Sequence, residues 1–179
     1  MRMRSSARVL AGLLLIAACL APRPADPADD WQAVRVPVKP FVVKDLDGKP
    51  LSLADLRGKV AIVDFWATWC KPCIAELPEL AAYHERLKRR TDVVLLSFNV
   101  GETKAEVESF LKASPVSFPV YCGDALVDRF ELAAFPTKLI LDARQPDKDG
   151  RATLRFRREG LTSVSSIEAR VDELLQQQP

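Results

Sequence analysis

A mostly apolar run, Val60-Ala61-Ile62-Val63-Asp64-Phe65-Trp66, leads through Ala67-Thr68-Trp69 into two cysteines separated by two residues, Cys70-Lys71-Pro72-Cys73. No other stretch constrains the fold as strongly. A run of that length and character suits a buried central strand. The segment after it suits a helix, with Pro72 in the first turn where a proline is tolerated. The cysteines therefore stand where a strand gives way to a helix. A thiolate at a helix N-terminus meets partial positive charge, which lowers its pKa from about 8.5 towards roughly 3.5–7.5. The i, i+3 spacing brings the second sulfur within reach of the first. One thiol attacks a disulfide and its neighbour resolves the mixed disulfide. These residues point to thiol–disulfide exchange.

Two other readings use the same residues. Two cysteines at this spacing are half of a four-ligand zinc site. The second half is missing, because Cys19 and Cys122 stand apart and His84 is the only histidine. Structural zinc knuckles, moreover, do not normally follow a buried strand. An inert structural disulfide is the other alternative, and the flanking sequence argues for an active one. No metal and no cofactor are expected.

The chain has 179 residues, enough for one domain with a short appendage. Its formal charge of +2 gives no reason to expect a nucleic-acid partner. The start is set apart. Arg2, Arg4 and Arg8 precede or open an apolar run, Val9–Leu20. That run is shorter than the roughly 20 residues needed to span a bilayer, so it reads as an export signal. Leu15-Ile16-Ala17-Ala18-Cys19 resembles the end of a bacterial lipoprotein signal, in which the cysteine is lipidated. Ordinary cleavage nearby, for instance after Ala21, is the alternative. We expect a signal peptide over 1–18, a proline-rich tether over 19–37 and a folded domain over 38–179. Loss of the three arginines takes the formal charge from +2 to −1.

Along the domain, Phe41–Val43 and Leu51–Leu53 flank an Asp47-Gly48 turn and read as a hairpin. Val60–Trp66 is a buried strand, and a helix follows from Pro72 to about Arg89, with Pro78 inside it. The basic residues 86–90 complement that helix's C-terminus and need no binding role. A strand is expected over Val93–Phe98, a helix from Thr103 to about Lys112, and a short strand over Pro119–Tyr121. Asp124 is expected to cap a helix through Leu132. Strands over Lys138–Leu141 and Thr153–Arg157 are joined near Gly150, and a last helix begins near Ser163. The order gives an α/β fold: a mixed sheet with helices on both faces.

Residues 61–73 resemble the active-site strand of the thioredoxin superfamily. The hairpin DLDGKPLSLADLRGKV, Glu76-Leu77-Pro78 after the motif, and a helix–strand segment before Pro119 resemble the membrane-anchored TlpA/ResA-type thiol–disulfide oxidoreductases. The resemblance covers about residues 38–177. It implies a thioredoxin fold with an N-terminal β-hairpin and a central helix–strand insertion. It further implies that Cys70 is the exposed nucleophile and Cys73 the buried resolving thiol. The local physics agrees: Cys70 lies at the helix edge beside free backbone N–H groups, whereas Cys73 lies inside, on the side of Leu77. Lys71 adds a modest positive charge.

Phe135-Pro136-Thr137 matches the superfamily's cis-proline loop, which faces the cysteines and pairs with an extended substrate. An ordinary trans proline turn is the alternative. Trp69, Lys71, Pro72, Phe135, Pro136 and Thr137 are the expected substrate contacts. Asp64 lies mid-strand, where an unpaired charge is costly. It matches the buried proton-transfer aspartate of cytoplasmic thioredoxins and departs from much of the TlpA/ResA branch. We expect it to have a raised pKa and to take the proton of Cys73; a solvated sheet edge is the alternative. Glu76 matches an active-site glutamate of the ResA-type proteins, with an exposed helix position as the alternative. Trp66 is expected to shield the site and pack the core together. Cys122 is expected to be a small buried apolar residue, and His84, on the outer part of its helix, is given no role.

Three functions are open to such a chain. The first is an extracytoplasmic oxidoreductase that reduces disulfides of exported proteins. The resemblance implies apocytochrome c among them, a membrane thiol–disulfide electron donor, and an anchor at Cys19 on the periplasmic side of a bacterial membrane. The second runs the same chemistry in reverse and inserts disulfides. The third is a metal-delivery or adaptor module, for which the expected CxxxC pair and distant histidine are lacking. A peroxidase lacks its usual single-cysteine context.

Overall fold

The computed structural model describes residues 30–114 and 116–178. The expected signal segment, Cys19 and most of the expected tether lie outside them. Eight strands and three α-helices follow in the order β1 (Gln32–Val38), β2 (Val42–Lys44), β3 (Pro50–Ser52), β4 (Val60–Trp66), α1 (Lys71–Leu87), β5 (Val93–Asn99), α2 (Lys104–Leu111), β6 (Val120–Cys122), β7 (Thr137–Asp142), β8 (Ala152–Glu159) and α3 (Val164–Gln176). Six strands form one sheet in the order β1-β8-β7-β4-β5-β6. β4, β5 and β6 run parallel, while β7 is antiparallel to both β4 and β8. The mixed sheet is as expected.

Every residue of β4 is buried. Alternate positions enter two different cores, as strand geometry requires. Val60, Ile62 and Trp66 pack beneath the three α-helices with Cys73, Leu77, Val107 and Ile167. Ala61, Val63 and Phe65 face the opposite layer, covered by the β2–β3 hairpin and by short 3-10 helices at Leu53–Leu56 and Asp124–Leu126. Asp64 shares the parity of Ile62 and Trp66, so it enters the layer roofed by the helices.

The hairpin closes at a turn that needs Gly48, whose φ of +84° is strained for any other residue. Asp45 Oδ1 accepts the backbone N–H groups of Asp47 and Lys49. α2 takes the place of the helix of the expected insertion, among the described residues no strand follows it before Pro119, and β6 stands near the strand expected over Pro119–Tyr121, at the sheet's edge. Among the described residues no helix is long and apolar enough to cross a membrane.

Two expectations fail here. Residues 32–37, read as tether, form most of β1, paired antiparallel with β8. Five prolines over 22–40 hid the strand, yet β1 is an edge strand, where Pro37 is tolerated. Its backbone is tied down further by Trp31, whose indole N–H donates to Ser166 Oγ at 2.8 Å. The helix expected over 124–132 is only a 3-10 turn followed by turns. Asp124 does not cap it: Oδ1 accepts the Gly101 N–H at 2.7 Å instead. Glu131 then adopts a φ of +49°, which ends any helical run.

Candidate active site

β4 delivers the cysteines to the start of α1. The chain turns at Ala67, whose carbonyl accepts the Cys70 N–H at 3.1 Å. Cys70 has an extended backbone and is the N-cap of α1; its Sγ accepts the Cys73 N–H at 3.3 Å. Lys71 and Pro72 fill the first two helical positions and are exposed. Cys70 and Cys73 are joined in a disulfide, with Cα atoms 5.3 Å apart. The helix N-terminus thus points the Cys73 N–H at the Cys70 sulfur.

Cys70 is less exposed than expected. In the disulfide it retains 5 % exposure, against 2 % for Cys73. The order is the expected one, but Cys70 is buried, because its sulfur is turned onto the first turn of α1. The exposed group at the rim is Trp69, at 64 %.

Trp69 meets Phe135 edge-on, with ring centroids 5.9 Å apart. This contact joins the cysteine loop to the proline loop. The Phe135–Pro136 peptide bond is cis. Pro136 and Thr137 are buried. The Pro136 carbonyl accepts the Gly160 N–H at 2.8 Å, and Thr137 Oγ1 donates to the Ala134 carbonyl at 2.7 Å. The loop is held from both sides, and the trans turn is excluded.

β4, β7 and α1 also share a buried charge cluster. Asp64 and Lys138 are register partners on β4 and β7. Their side chains are 2 % and 0 % exposed, with Lys138 Nζ 3.2 Å from Asp64 Oδ1. Lys138 Nζ also donates to Glu76 Oε2, from the buried face of α1. The other Glu76 oxygen accepts the Thr162 N–H at 2.6 Å. Burial raises the Glu76 carboxyl above the ordinary range; Lys138 and the Thr162 N–H oppose that shift. Burial works against the charged form of Lys138, but the two carboxylates outweigh it and raise its pKa. The solvated-edge reading of Asp64 and the exposed-helix reading of Glu76 are therefore both overturned. Lys138 escaped the sequence reading, because its pairing with Asp64 depends on the register of β7 against β4.

With that geometry in place, comparison with known proteins becomes informative. A profile described as the AhpC/TSA family matches residues 34–145. The chain belongs to the AhpC/TSA family. It is 36 % identical over 104 residues to the thiol–disulfide oxidoreductase ResA of Bacillus subtilis, a stretch that spans 57 % of this chain and 58 % of that one. That is less than two thirds of the relative's length. A thiol:disulfide interchange protein of the thioredoxin family from Chlorobium tepidum superposes with a TM-score of 0.66 at 27 % identity, covering 80 % of this chain and 99 % of the other. The exposed lipoprotein thioredoxin of Streptococcus pneumoniae gives 0.64 at 23 % identity, covering 75 % and 98 %. The resemblance to TlpA/ResA-type proteins and the thioredoxin-like fold are both borne out.

Four further residues complete the description. Trp66 is fully buried, donates its indole N–H to Ser97 Oγ at 2.8 Å and tilts against Phe110, so it is core. Glu102, unforeseen from sequence, accepts the Thr68 N–H at 2.7 Å, the Thr68 hydroxyl, and the Asn99 amide at 2.7 Å. It fastens the loop that carries Trp69 to the end of β5. Cys122 is exposed, not buried, because it ends the edge strand β6. His84 is not on the outside of α1: it packs on Phe118 at 5.4 Å, and burial lowers its pKa. Among the described residues, no group of three or more His, Cys, Asp or Glu could hold a metal.

Proposed function

We propose that the protein is an extracytoplasmic thiol–disulfide oxidoreductase that reduces disulfides of exported proteins. The observation that carries this is the Cys70–Cys73 disulfide at the N-terminus of α1, beside the cis-proline loop. In the reducing direction the Cys70 thiolate attacks a substrate disulfide, forming a Cys70–substrate bond and releasing one substrate thiolate. Cys73 then loses its proton, bonds to Cys70 and displaces the second substrate thiolate. The substrate gains two electrons and the enzyme is left oxidised. Asp64 and Glu76 lie in the same core layer as Cys73, and we assign them to its proton transfer. Trp69, Lys71, Pro72 and Phe135 form the substrate-facing rim, and Pro136 and Thr137, buried behind Phe135, are assigned to hold the loop that meets the substrate.

The oxidised enzyme needs a membrane thiol–disulfide electron donor. The basic leader and apolar run before Cys19 support export, and Cys19 is the proposed lipid anchor on the periplasmic side. Apocytochrome c is a proposed substrate class, by analogy with the ResA-type relatives.

The equilibrium reduction potential of Cys70–Cys73 in defined thiol buffers tests the direction. A value at or below about −250 mV supports a reductase, whereas one near −120 mV, roughly the oxidising extreme, would make the protein a disulfide donor.

A further inference from the structure

A groove beneath the open edge of the sheet takes no part in the dithiol site. It measures about 710 Å³ and lies between β1 and the turn at Arg129–Glu131. Among the described strands β1 pairs with β8 alone, so its other side offers backbone N–H and C=O groups without a strand partner. Val34, Val36 and Val38, at alternate positions, line the groove with Phe130 and Leu154, which gives it an apolar floor. Val36 remains 49 % exposed, so the described residues leave this floor partly uncovered.

The rim is basic. Lys39 and Arg129 stand there, both exposed. The Arg129 guanidinium donates to the Lys39 and Pro40 carbonyls at 2.8 and 3.0 Å and lies over the Phe41 ring. Among the described residues no carboxylate pairs with either cation. Arg157, also on the lining, is engaged by the Phe130 and Glu131 carbonyls and by Glu159. Glu131 is the one acidic lining residue.

An occupant that matches this groove supplies apolar side chains at alternate positions, carboxylates for Lys39 and Arg129, and backbone groups for the strand edge. An extended peptide of alternating apolar and acidic residues meets all three requirements. An anionic lipid meets only two, because it leaves the strand edge unpaired. Pro37 lacks an N–H and a bulge lies between Ala33 and Val36, which confines pairing to a short segment. The groove also leads towards the dithiol. Gln32 pairs with Arg157, and Arg157 with Leu139, two residues beyond Thr137 of the proline loop.

We propose that this groove docks an extended, acidic and apolar segment of the protein substrate, which adds to β1 as a further strand while a disulfide elsewhere in that substrate meets Cys70. The inference rests on the thiol–disulfide exchange proposed above and gives it a substrate class. Docking itself forms no covalent bond.

Fluorescence anisotropy of a labelled, disulfide-free peptide, Asp-Val-Asp-Val-Asp-Val, with the full chain tests docking apart from redox chemistry. Binding saturates and weakens as salt rises. It falls by at least about tenfold for Lys-Val-Lys-Val-Lys-Val and in Val36→Glu/Lys39→Glu, where like charges meet. Methylation of alternate peptide amides, which keeps every charge, also weakens it. The peptide comparisons need only the parent chain and stand if the variant does not fold. Joined by a flexible linker to a disulfide peptide, the acidic segment speeds its reduction at low substrate. No binding, equal binding of both peptides, indifference to amide methylation or no gain in rate overturns the proposal. So does a concentration-dependent dimer that Val36→Glu dissolves, which would give the groove to a second copy, or binding of decanoate without binding of the peptide. Failure of the parent to reduce the bare disulfide peptide would instead sink the oxidoreductase reading and leave the peptide binding in place.

Discussion

At the residue scale, the site depends on which charges burial tolerates. Cys70 and Cys73 were legible because their spacing at the start of a helix assigns them chemistry, and Pro136 because its loop resembles the superfamily's cis-proline loop. Asp64 was legible as a charge in an apolar strand, yet its partner was not, since pairing of Lys138 with it depends on the strand register. Glu76 supplies a pH prediction. Burial, its main perturbation, leaves its carboxyl above the ordinary range, so the folded chain holds that proton more tightly than the unfolded chain. The associated stability is full below the unfolded value and is lost as pH rises through the folded one. Glu76→Gln should therefore lose less stability than the parent as pH rises above the ordinary carboxylate range, read from urea midpoints. An identical loss in both proteins would contradict the assignment. Trp66→Phe would leave buried Ser97 without its donor, at a cost of about 1–3 kcal/mol, measurable by the same titration.

At the scale of elements, periodicity read the regular pieces well. β4 matches its expected span, and α1, β5, α2, β7 and α3 differ from theirs by a few residues at their ends. The failures were polar or proline-rich segments whose conformation is set by distant partners. Asp124 was read as a cap from its neighbours, but the Gly101 N–H claims its carboxylate. Glu102 was invisible for the same reason, because Thr68, in the loop after β4, lies far from it along the chain, and only Asn99 at the end of β5 is a near neighbour. Glu102→Ala should release the Thr68 loop. Amide exchange at Thr68 should accelerate, and stability should fall by about 1.5–3 kcal/mol, the range for hydrogen bonds to a charged group. Unchanged exchange at Thr68 would mean the loop is fastened by other contacts.

For the whole molecule, the six-stranded sheet separates support from chemistry. β1 closes the edge beyond β8, whereas the cysteines follow the central β4. Composition could not show this, since residues 32–38 carry few apolar side chains that point inward; only Val38 is buried. Deleting residues 30–38 should lower stability by at least about 2 kcal/mol through lost burial of Val38 and lost strand pairing, seen as a lower Tm. The Cys70–Cys73 reduction potential should stay where it was. A shifted potential would show that the edge strand reaches the site. Dithiol exchange itself is tested most directly by mass spectrometry of the reduced Cys73→Ser full chain mixed with a disulfide peptide. The account predicts a stable peptide adduct on Cys70, while the parent under the same conditions recovers its Cys70–Cys73 disulfide and releases the peptide. No adduct, or an adduct confined to the exposed Cys122, would contradict it.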